Sequence, residues 1–394
     1  MSGIFVVASL VVSGASLLLA SYYALVVAAG VFLRKRAPSA PPGPIAVLVP
    51  AHDEESMIAA TVEALRGQLR EGDRLVVVAD NCGDGTAAAA AKAGAEVVER
   101  RDATRRGKGY ALQFGLDALR ADPPEIVCIV DADCLACPGA IVAVAGAAAR
   151  TQRPAQALYL MGAPAGSSAR FAVSAFAWLL MNRVRMAGLY ALFDSARLNG
   201  TGMAIPWKLL ASRNLASGEI VEDLVLGLDL AEAGAAPVFC VDAVVRSEFP
   251  STDEAAARQR ARWEHGSLRV AIRRAPRLVV RGLLTGDLRL AALAADCLIP
   301  PLALFAAALV GSALLALCAA AIGAGASLLL AVAAFALFGA ATALAWFVHG
   351  RDALPPRELP RVVSYLLGKV KVYGRDARQS TKTWTRTDRG GAPR

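Results

Sequence analysis

Two long apolar runs constrain the fold of this chain more than any other feature. Residues 4–33 carry no charge, and Asp296 is the only charged residue between Leu290 and Val348. A helix needs roughly 20 residues to cross a bilayer core of about 30 Å. The first run therefore predicts one transmembrane helix, and the second predicts two that are joined near Gly323 and Gly325.

Basic residues give these spans a direction. Arg34, Lys35 and Arg36 follow the first run directly, whereas a cleaved signal peptide carries its positive charge before the apolar segment. Because positive residues favour the cytoplasmic side, we expect the N-terminus outside and residue 34 onward in the cytoplasm. Two spans in the second run return the basic tail to that side. We therefore predict an integral protein of the cytoplasmic (inner) membrane.

The net charge of +9 admits a nucleic-acid partner, an anionic membrane surface or an anionic substrate. Much of the positive excess lies beside the spans, including the amphipathic segment Arg269–Leu284, which is expected along the membrane interface. Because the arginines cluster there, and the strand ends of the intervening domain are acidic, nucleic-acid binding is disfavoured.

The segment between the apolar runs predicts an α/β domain. Short β-branched runs at 45–50, 74–79, 95–100 and 126–130 alternate with Ala-rich, helix-compatible stretches. This alternation is typical of a mostly parallel sheet covered on both faces, whose ligands bind beyond the carboxyl ends of the strands. The predicted organisation is a transmembrane helix (1–36), a cytoplasmic domain (37–268), an interfacial segment (269–289), two transmembrane helices (290–348) and a basic cytoplasmic tail (349–394).

Acidic residues follow three of the predicted strands, in "AHDEE" (51–55), "DNCGDG" (80–85) and "DADC" (131–134). Any one of these clusters alone is a normal turn or helix cap. "GDGTAA" (83–88) also matches a dinucleotide-binding pattern, but the preceding carboxylate stands where a pyrophosphate would approach. Cys134 and Cys137 form a lone CxxC without the second pair of a zinc site, and most of the seven cysteines are expected to be reduced.

Asp131 and Asp133 flank one residue, so in an extended segment both side chains project to the same side. Apposed carboxylates raise one another's pKa unless a cation lies beside them. Hard oxygen ligands of this kind suit Mg²⁺ or Mn²⁺, and Mg²⁺ is commonly shared between carboxylates and substrate phosphates. The pair therefore predicts a divalent cation and a diphosphate substrate, whose charge the metal neutralises as that group leaves.

Three further stretches fit this chemistry, although each has a simpler interpretation. "RRGKGYAL" (105–112) places Lys108 at a helix start that favours anions, or in a solvated basic loop. Glu222 and Asp223 either complement a helix dipole or supply a general base. Gln259, Arg262 and Trp263 share one helical face, or mark a membrane interface.

Taken in order, seven motifs resemble those of the membrane-bound family 2 glycosyltransferases, the group that contains cellulose, chitin and hyaluronan synthases and ceramide glucosyltransferase. They are "VPAHDEE", "VVVADNCGDGT", "RGKGYAL", "DADC", "NGTGMAI", "VEDL" and "QRARW". The resemblance covers roughly residues 44–270 and the flanking pattern of spans. Each motif alone is weak, but their order and spacing together are specific.

The resemblance implies a GT-A fold, a nucleotide-diphosphate-sugar donor such as a UDP-sugar, and inverting transfer of a hexose. It implies Mg²⁺ or Mn²⁺ at the DxD pair, Asp131 and Asp133, with Asp133 favoured as the direct ligand. The remaining implied roles are donor binding at Glu54, Asp80, Lys108, Asp131, Gln259 and Arg262, acceptor binding at Trp263 and Gly200, and catalysis at Asp223, the base, with Glu222 beside it.

One departure bears on the acceptor. The QxxRW motif is associated with processive polymer synthases, which usually carry more spans than the three predicted here. We therefore expect sugar transfer to a lipid-linked or glycan acceptor for envelope or exopolysaccharide synthesis. The alternatives are a processive synthase that works with a separate export or polymerisation partner, and a non-catalytic membrane scaffold.

Overall fold

The computed structural model describes residues 2–33, 41, 43–162, 169–219, 221–250 and 252–362. The Arg34–Arg36 cluster and most of the predicted basic tail lie outside the described residues. The strands are β1 (Ile45–Ala51), β2 (Arg74–Asp80), β3 (Glu96–Arg100), β4 (Ile126–Ile129), β5 (Leu135–Ala136), β6 (Ala155–Gly162), β7 (Met203–Pro206) and β8 (Val238–Glu248).

Helices cover the sheet and extend beyond it. They are α1 (Ser2–Val31), α2 (Ile58–Arg66), α3 (Thr86–Lys92), α4 (Lys108–Leu119), α5 (Ala140–Thr151), α6 (Ala169–Leu179), α7 (Met186–Phe193), α8 (Trp207–Leu210), α9 (Glu222–Glu232), α10 (Asp253–Arg273), α11 (Ala275–Thr285), α12 (Leu288–Cys297), α13 (Leu302–Ala321) and α14 (Ala326–Ala345). π-Helical segments (Leu180–Arg185 and Trp346–Gly350) follow α6 and α14, and a 3₁₀ turn covers Pro356–Glu358.

The strands form one mixed sheet in the order β3-β2-β1-β4-β7-β6-β8-β5. β1, β2, β3 and β4 are mutually parallel where they pair, and β7 runs antiparallel to β4 and β6. The predicted α/β fold and its four strands are thus confirmed. Because β2, β1 and β4 are parallel neighbours, the three acidic clusters that follow them lie at the same edge of the sheet.

Both faces of the parallel region are buried, which explains its nearly continuous apolar sequence. Val47 and Val49 belong to the core beneath α2 and α5, whereas Leu48 and Val78 belong to the core beneath α4. Helix α4 approaches the second face closely at Gly115, where an added Cβ would lie 2.3 Å from Leu48 Cδ1. This close packing fixes the N-terminus of α4 against the strand ends.

Three helical segments, Gly3–Val31, Leu302–Ala321 and Ala326–Gly350, are long and apolar enough to cross a membrane. The second apolar run also contains α12, which ends before Pro300 and Pro301 and is separate from both spans. A carboxylate so near the start of an apolar run is expected at a solvated interface, because a charge inside the membrane is costly, but for Asp296 this expectation is wrong. Asp296 is 3% exposed because α12 packs inward and directs it at the guanidinium of Arg185, 2.8 Å away.

Helix α1 contacts the α/β domain through main-chain atoms. A Cβ added at Gly30 would lie 1.8 Å from Val184 O, and one added at Gly188 would lie 1.7 Å from Val26 O. Small residues permit such close helix packing. The Tyr22 hydroxyl also donates a hydrogen bond to Ala292 O in α12 at 2.8 Å. Helix α1 is therefore docked along its length rather than attached only through the chain.

Candidate functional site

Asp80 ends β2 and is 7% exposed at the shared edge of the sheet. Arg100, which ends β3 directly opposite it, donates a hydrogen bond from Nη1 to Asp80 Oδ1 at 2.6 Å. His52 follows β1 and places Nδ1 2.6 Å from Asp80 O. Sequence reasoning missed Arg100 and His52. A basic residue at the end of the strand beside Asp80 was the available signal for Arg100.

In the glycine turn after Asp80, two backbone N–H groups already donate to carboxylates. The Gly83 N–H donates to Asp53 Oδ1 at 2.7 Å, and the Gly85 N–H donates to Glu55 Oε2 at 3.1 Å. These N–H groups are the ones that a pyrophosphate would require, so the turn does not fit a dinucleotide. Asp53 also lies close to Cys82 and Asp84, but its carboxylate serves the turn.

Asp131 and Asp133 lie just beyond β4, and their ligand atoms and Cys134 Sγ all lie within 4.8 Å of one another. The thiol of Cys134 donates to Asp133 Oδ1 at 3.3 Å. Burial raises the pKa of Cys134 to about 12, so this sulfur stays protonated and is a poor metal ligand. Cys137 is not bonded to it. The two carboxylates fit a hard cation such as Mg²⁺ or Mn²⁺.

Lys108 is the first residue of α4 and lies among carboxylates. Its ammonium forms an ion pair with Asp131 and donates to Gly200 O at 2.6 Å. Burial opposes its charge, but Asp131, Glu222 and Asp223 together raise the pKa of Lys108 to about 12. Lys108 is therefore charged at any physiological pH.

Gly200 separates Lys108 from Asp223. Its φ of +79° is in the left-handed region that favours glycine, and an added Cβ would lie 3.2 Å from Lys108 Nζ and 3.3 Å from Asp223 Oδ2. A side chain here would enter the space between the ammonium and the carboxylate. The "NGTG" turn thus keeps that space open.

Glu222 and Asp223, at the start of α9, have different electrostatic surroundings. Burial, and then the charge of Asp223, raise the pKa of Glu222 to about 8. Burial also raises the pKa of Asp223, but Lys108, the Leu224 N–H and Arg197 all oppose that rise. The charges of Lys108 and Arg197 therefore favour the ionised form of Asp223.

Helix α10 supplies the QxxRW residues. Gln259 is 5% exposed, and its Oε1 has no hydrogen-bond partner among the described residues. Burial lowers the pKa of Arg262 while the charge of Glu222 opposes the change, which places this guanidinium near α9. Trp263 packs against Trp178 with ring centroids 5.4 Å apart. Sequence reasoning missed Trp178, which lies in an apolar helix without a polar pattern to mark it.

One cavity of about 860 Å³ joins the end of β2, the DxD pair, Lys108, the start of α9 and the QxxRW residues. The predicted site residues that it brings together are Glu54, Asp80, Lys108, Asp131, Asp133, Gly200, Glu222, Asp223, Gln259, Arg262 and Trp263. Arg105 is not among them and instead forms an ion pair with Asp102. The cavity continues to Tyr23, Phe305 and Phe338 on α1, α13 and α14, so a polar end and an apolar end are joined.

The family comparison gives a clear result. The model described as "Glycosyltransferase like family 2" matches residues 41–266, which is more than half of the chain. A search of curated proteins found no match.

The fold is shared with a solved structure whose TM-score exceeds 0.5. The mannosyltransferase PcManGT from Pyrobaculum calidifontis, in complex with GDP-Man and Mn²⁺, is 19% identical over 91% of this chain and 99% of its own, with a TM-score of 0.52. Glucosyl-3-phosphoglycerate synthase from Mycobacterium tuberculosis, with Mn²⁺, UDP and phosphoglyceric acid, is 24% identical over 57% of this chain and 78% of its own, with a TM-score of 0.39. The chain spans 65% of a mycobacterial protein to which it is 23% identical over 52% of its own length, with a TM-score of 0.35.

Proposed function

Because the chain belongs to glycosyltransferase family 2, we propose that it moves a sugar from a nucleotide-diphosphate donor, such as a UDP-sugar, to a lipid-linked or glycan acceptor. The observation that best supports this is the single cavity lined by every candidate donor, metal and catalytic residue. That cavity also reaches the apolar helices, which favours an acceptor with a lipid part.

We assign the nucleoside to the region of Asp80 and Glu54, where His52 closes the strand edge. Asp131 and Asp133 would hold Mg²⁺ or Mn²⁺, consistent with the Mn²⁺ in the PcManGT complex. When bound, such an ion neutralises charge on the departing diphosphate. We assign Lys108 to the same group because its ammonium lies beside Asp131.

Gln259 and Arg262 are assigned to the diphosphate as well. The amide N–H groups of Gln259 can donate to the diphosphate, and its unpaired buried Oε1 can accept from a hydroxyl of the bound nucleotide sugar. Arg262 supplies hydrogen-bond donors matched to phosphate. We assign Trp263 and the Gly200 turn, which also line the cavity, to the acceptor.

Asp223 is assigned as the base that takes the proton of the acceptor hydroxyl. A base must be ionised before the acceptor attacks, and the charges of Lys108 and Arg197 favour the ionised form of Asp223. Glu222 would stay protonated near neutral pH and limit the negative charge beside the donor. One base and no covalent sugar intermediate are enough for inversion at the anomeric carbon.

We propose that the domain lies at the cytoplasmic face of the inner membrane with the N-terminus outside. Helix α11 exposes Val280, Leu283 and Leu284 for contact with lipid, while Arg281 forms an ion pair with Glu232 of α9. The product would serve envelope or exopolysaccharide synthesis, and a long polymer would need a separate export partner.

The test of the base is Asp223→Asn in the purified full chain, given a panel of radiolabelled nucleotide sugars. We expect transfer to fall about 100-fold to 10,000-fold. Asp229→Asn is the matched control, because Asp229 lies on the same helix but forms an ion pair with Arg274 and does not line the cavity. Transfer that persists in Asp223→Asn near the parent level would remove the base assignment. A parent protein that neither binds nor consumes any nucleotide sugar would favour the scaffold alternative.

The cation is tested by removing it with EDTA and adding back Mn²⁺ or Mg²⁺. Activity should disappear and return, and the electron paramagnetic resonance of Mn²⁺ should report binding that Asp133→Asn weakens. Activity that is indifferent to chelation would exclude a metal role for Asp131 and Asp133.

A further inference from the structure

Two buried arginines share one carboxylate deep in the cavity. Arg185, in the π-helical segment before α7, lies 2.8 Å from Asp296 Oδ1 through Nη2, and Arg197 Nη1 lies 3.7 Å from Asp296 Oδ2. The arginine side chains are 8% and 13% exposed, and both line the cavity. Two cations thus face one anion, so the cluster carries an excess positive charge.

The hydrogen bonding of this cluster is also incomplete. The Nε atoms of Arg185 and Arg197 are buried and have no hydrogen-bond partner among the described residues. Unpaired buried charge and unsatisfied donors are costly, and each is relieved by an anion with several acceptor oxygens. The cluster therefore has two properties of an incomplete anion site, namely more guanidinium than carboxylate charge and unpaired buried N–H donors in side chains that line the cavity.

The position of the cluster defines what the anion is attached to. Arg197 is near enough to Asp223 to favour its carboxylate, so one side of the cluster faces the proposed base. On the other side Asp296 is followed along the chain by Pro300 and Pro301, which line the cavity as it passes to Phe305. The arginines consequently lie where the polar end of the cavity meets its apolar end.

We propose that Arg185 and Arg197 bind the anionic group of an amphipathic acceptor, a phosphate or a carboxylate carried on an apolar chain. The chain extends among Tyr23, Phe305 and Phe338, and the reacting hydroxyl or oxyanion of the acceptor points toward Asp223. The acceptor role rests on the proposed transferase function, whereas anion binding itself does not. When the site is empty, the Asp296 carboxylate pairs with both guanidiniums and keeps them in place.

The test is calorimetric titration of the full chain in neutral detergent, without any donor sugar. The probes are decyl phosphate, decanoate, neutral decyl glucoside and inorganic phosphate. We expect at least one anionic amphiphile to bind about tenfold or more tightly than decyl glucoside and than inorganic phosphate. Binding of decyl phosphate alone identifies a phosphate-bearing chain, and binding of both anionic probes identifies a general anion site.

Variants then locate the site. Arg197→Gln should weaken binding of the anionic amphiphile by about tenfold or more. Arg183→Gln should not, because Arg183 is in the same π-helical segment but does not line the cavity. Equal affinity for decyl glucoside, or unchanged affinity in Arg197→Gln, would overturn the proposal. If Arg197→Gln does not fold, the comparison of anionic and neutral probes on the parent protein decides.

The outcome separates the two proposals. Anion binding that depends on Arg197, in a protein that transfers no sugar, would retain the anion site and reject the transferase. Sugar transfer without preference for an anionic amphiphile would retain the transferase and reject the anion site.

Discussion

Replacing Lys108 by methionine removes a cation that lies between the DxD pair and the proposed base. Lys108 Nζ and Asp223 Oδ2 lie 3.2 and 3.3 Å from the same point beside Gly200, so they are at most about 6.5 Å apart. At an effective dielectric constant of about 20, unit charges at that distance attract by about 2.5 kcal/mol. This corresponds to about two pKa units on Asp223, and partial exposure of the Lys108 side chain reduces the expected shift to about one or two.

The assay is the pH dependence of nucleotide-diphosphate release with the best nucleotide sugar. We expect the rising limb of kcat/KM to move up by about one or two pH units in Lys108→Met, which costs about 10-fold to 100-fold at neutral pH. Higher pH should restore part of that loss. Lys208→Met is the control, since Lys208 is exposed on α8 and far from the cavity lining. A rising limb at an unchanged pH would refute the electrostatic role, and a uniform loss at every pH would indicate direct donor contact only.

Thermal unfolding gives a second readout that needs no activity. Without Lys108, the half-buried carboxylates of Glu222 and Asp223 lose a cation that they share. Carboxyl groups whose pKa is raised by folding stabilise the fold at low pH and lose that contribution as pH rises. The variant should therefore melt well below the parent at pH 8, and the two melting temperatures should approach each other at pH 5.

Three further predictions concern buried groups and contacts. In the parent protein, the rate of sugar transfer should rise with pH through the raised pKa of Asp223. The stability that protonated Glu222 contributes should be complete below about pH 4.5 and lost as the pH passes about 8, which thermal melts would follow. Arg100→Leu should destabilise the fold by about 3 kcal/mol and weaken nucleotide binding measured by calorimetry, because it leaves the buried Asp80 carboxylate without its ion-pair partner. Arg101→Leu is the control and should change neither, because the Arg101 side chain is 77% exposed. Gly188→Ala should cost about 1–3 kcal/mol of stability in detergent, because its Cβ would meet Val26 O, whereas Gly311→Ala, with open space around it, should be neutral. Equal melting temperatures within either pair would contradict the corresponding contact.

The sequence predicted the parallel half of the fold well because its signals are local. Val47, Leu48 and Val49 alternate between two buried faces, so the run is apolar throughout and ends where acidic residues begin. Because β2, β1 and β4 are neighbours in the sheet, the acidic residues that follow these strands lie close together. Helix α9 began at Glu222 as its first-turn carboxylates indicated.

What the sequence could not predict are contacts between segments that are distant along the chain. Arg185 and Asp296 are 111 residues apart, and their contact depends on α12 being separate from the span that follows it. Trp178 became part of the site only when α6 and α10 packed together. Side chains of this kind carry no local pattern, so spacing and periodicity do not reveal them.

The main-chain contact between Gly30 and Gly188 bears on how the protein can be produced and studied. Removal of residues 2–33 would uncover the backbone at Val184 and Gly188 and would delete Tyr23 from the wall of the cavity. A shortened, water-soluble version should thus lose both a wall of its substrate chamber and a packing partner of α7. Detergent or lipid, rather than truncation, is the appropriate route to an active preparation.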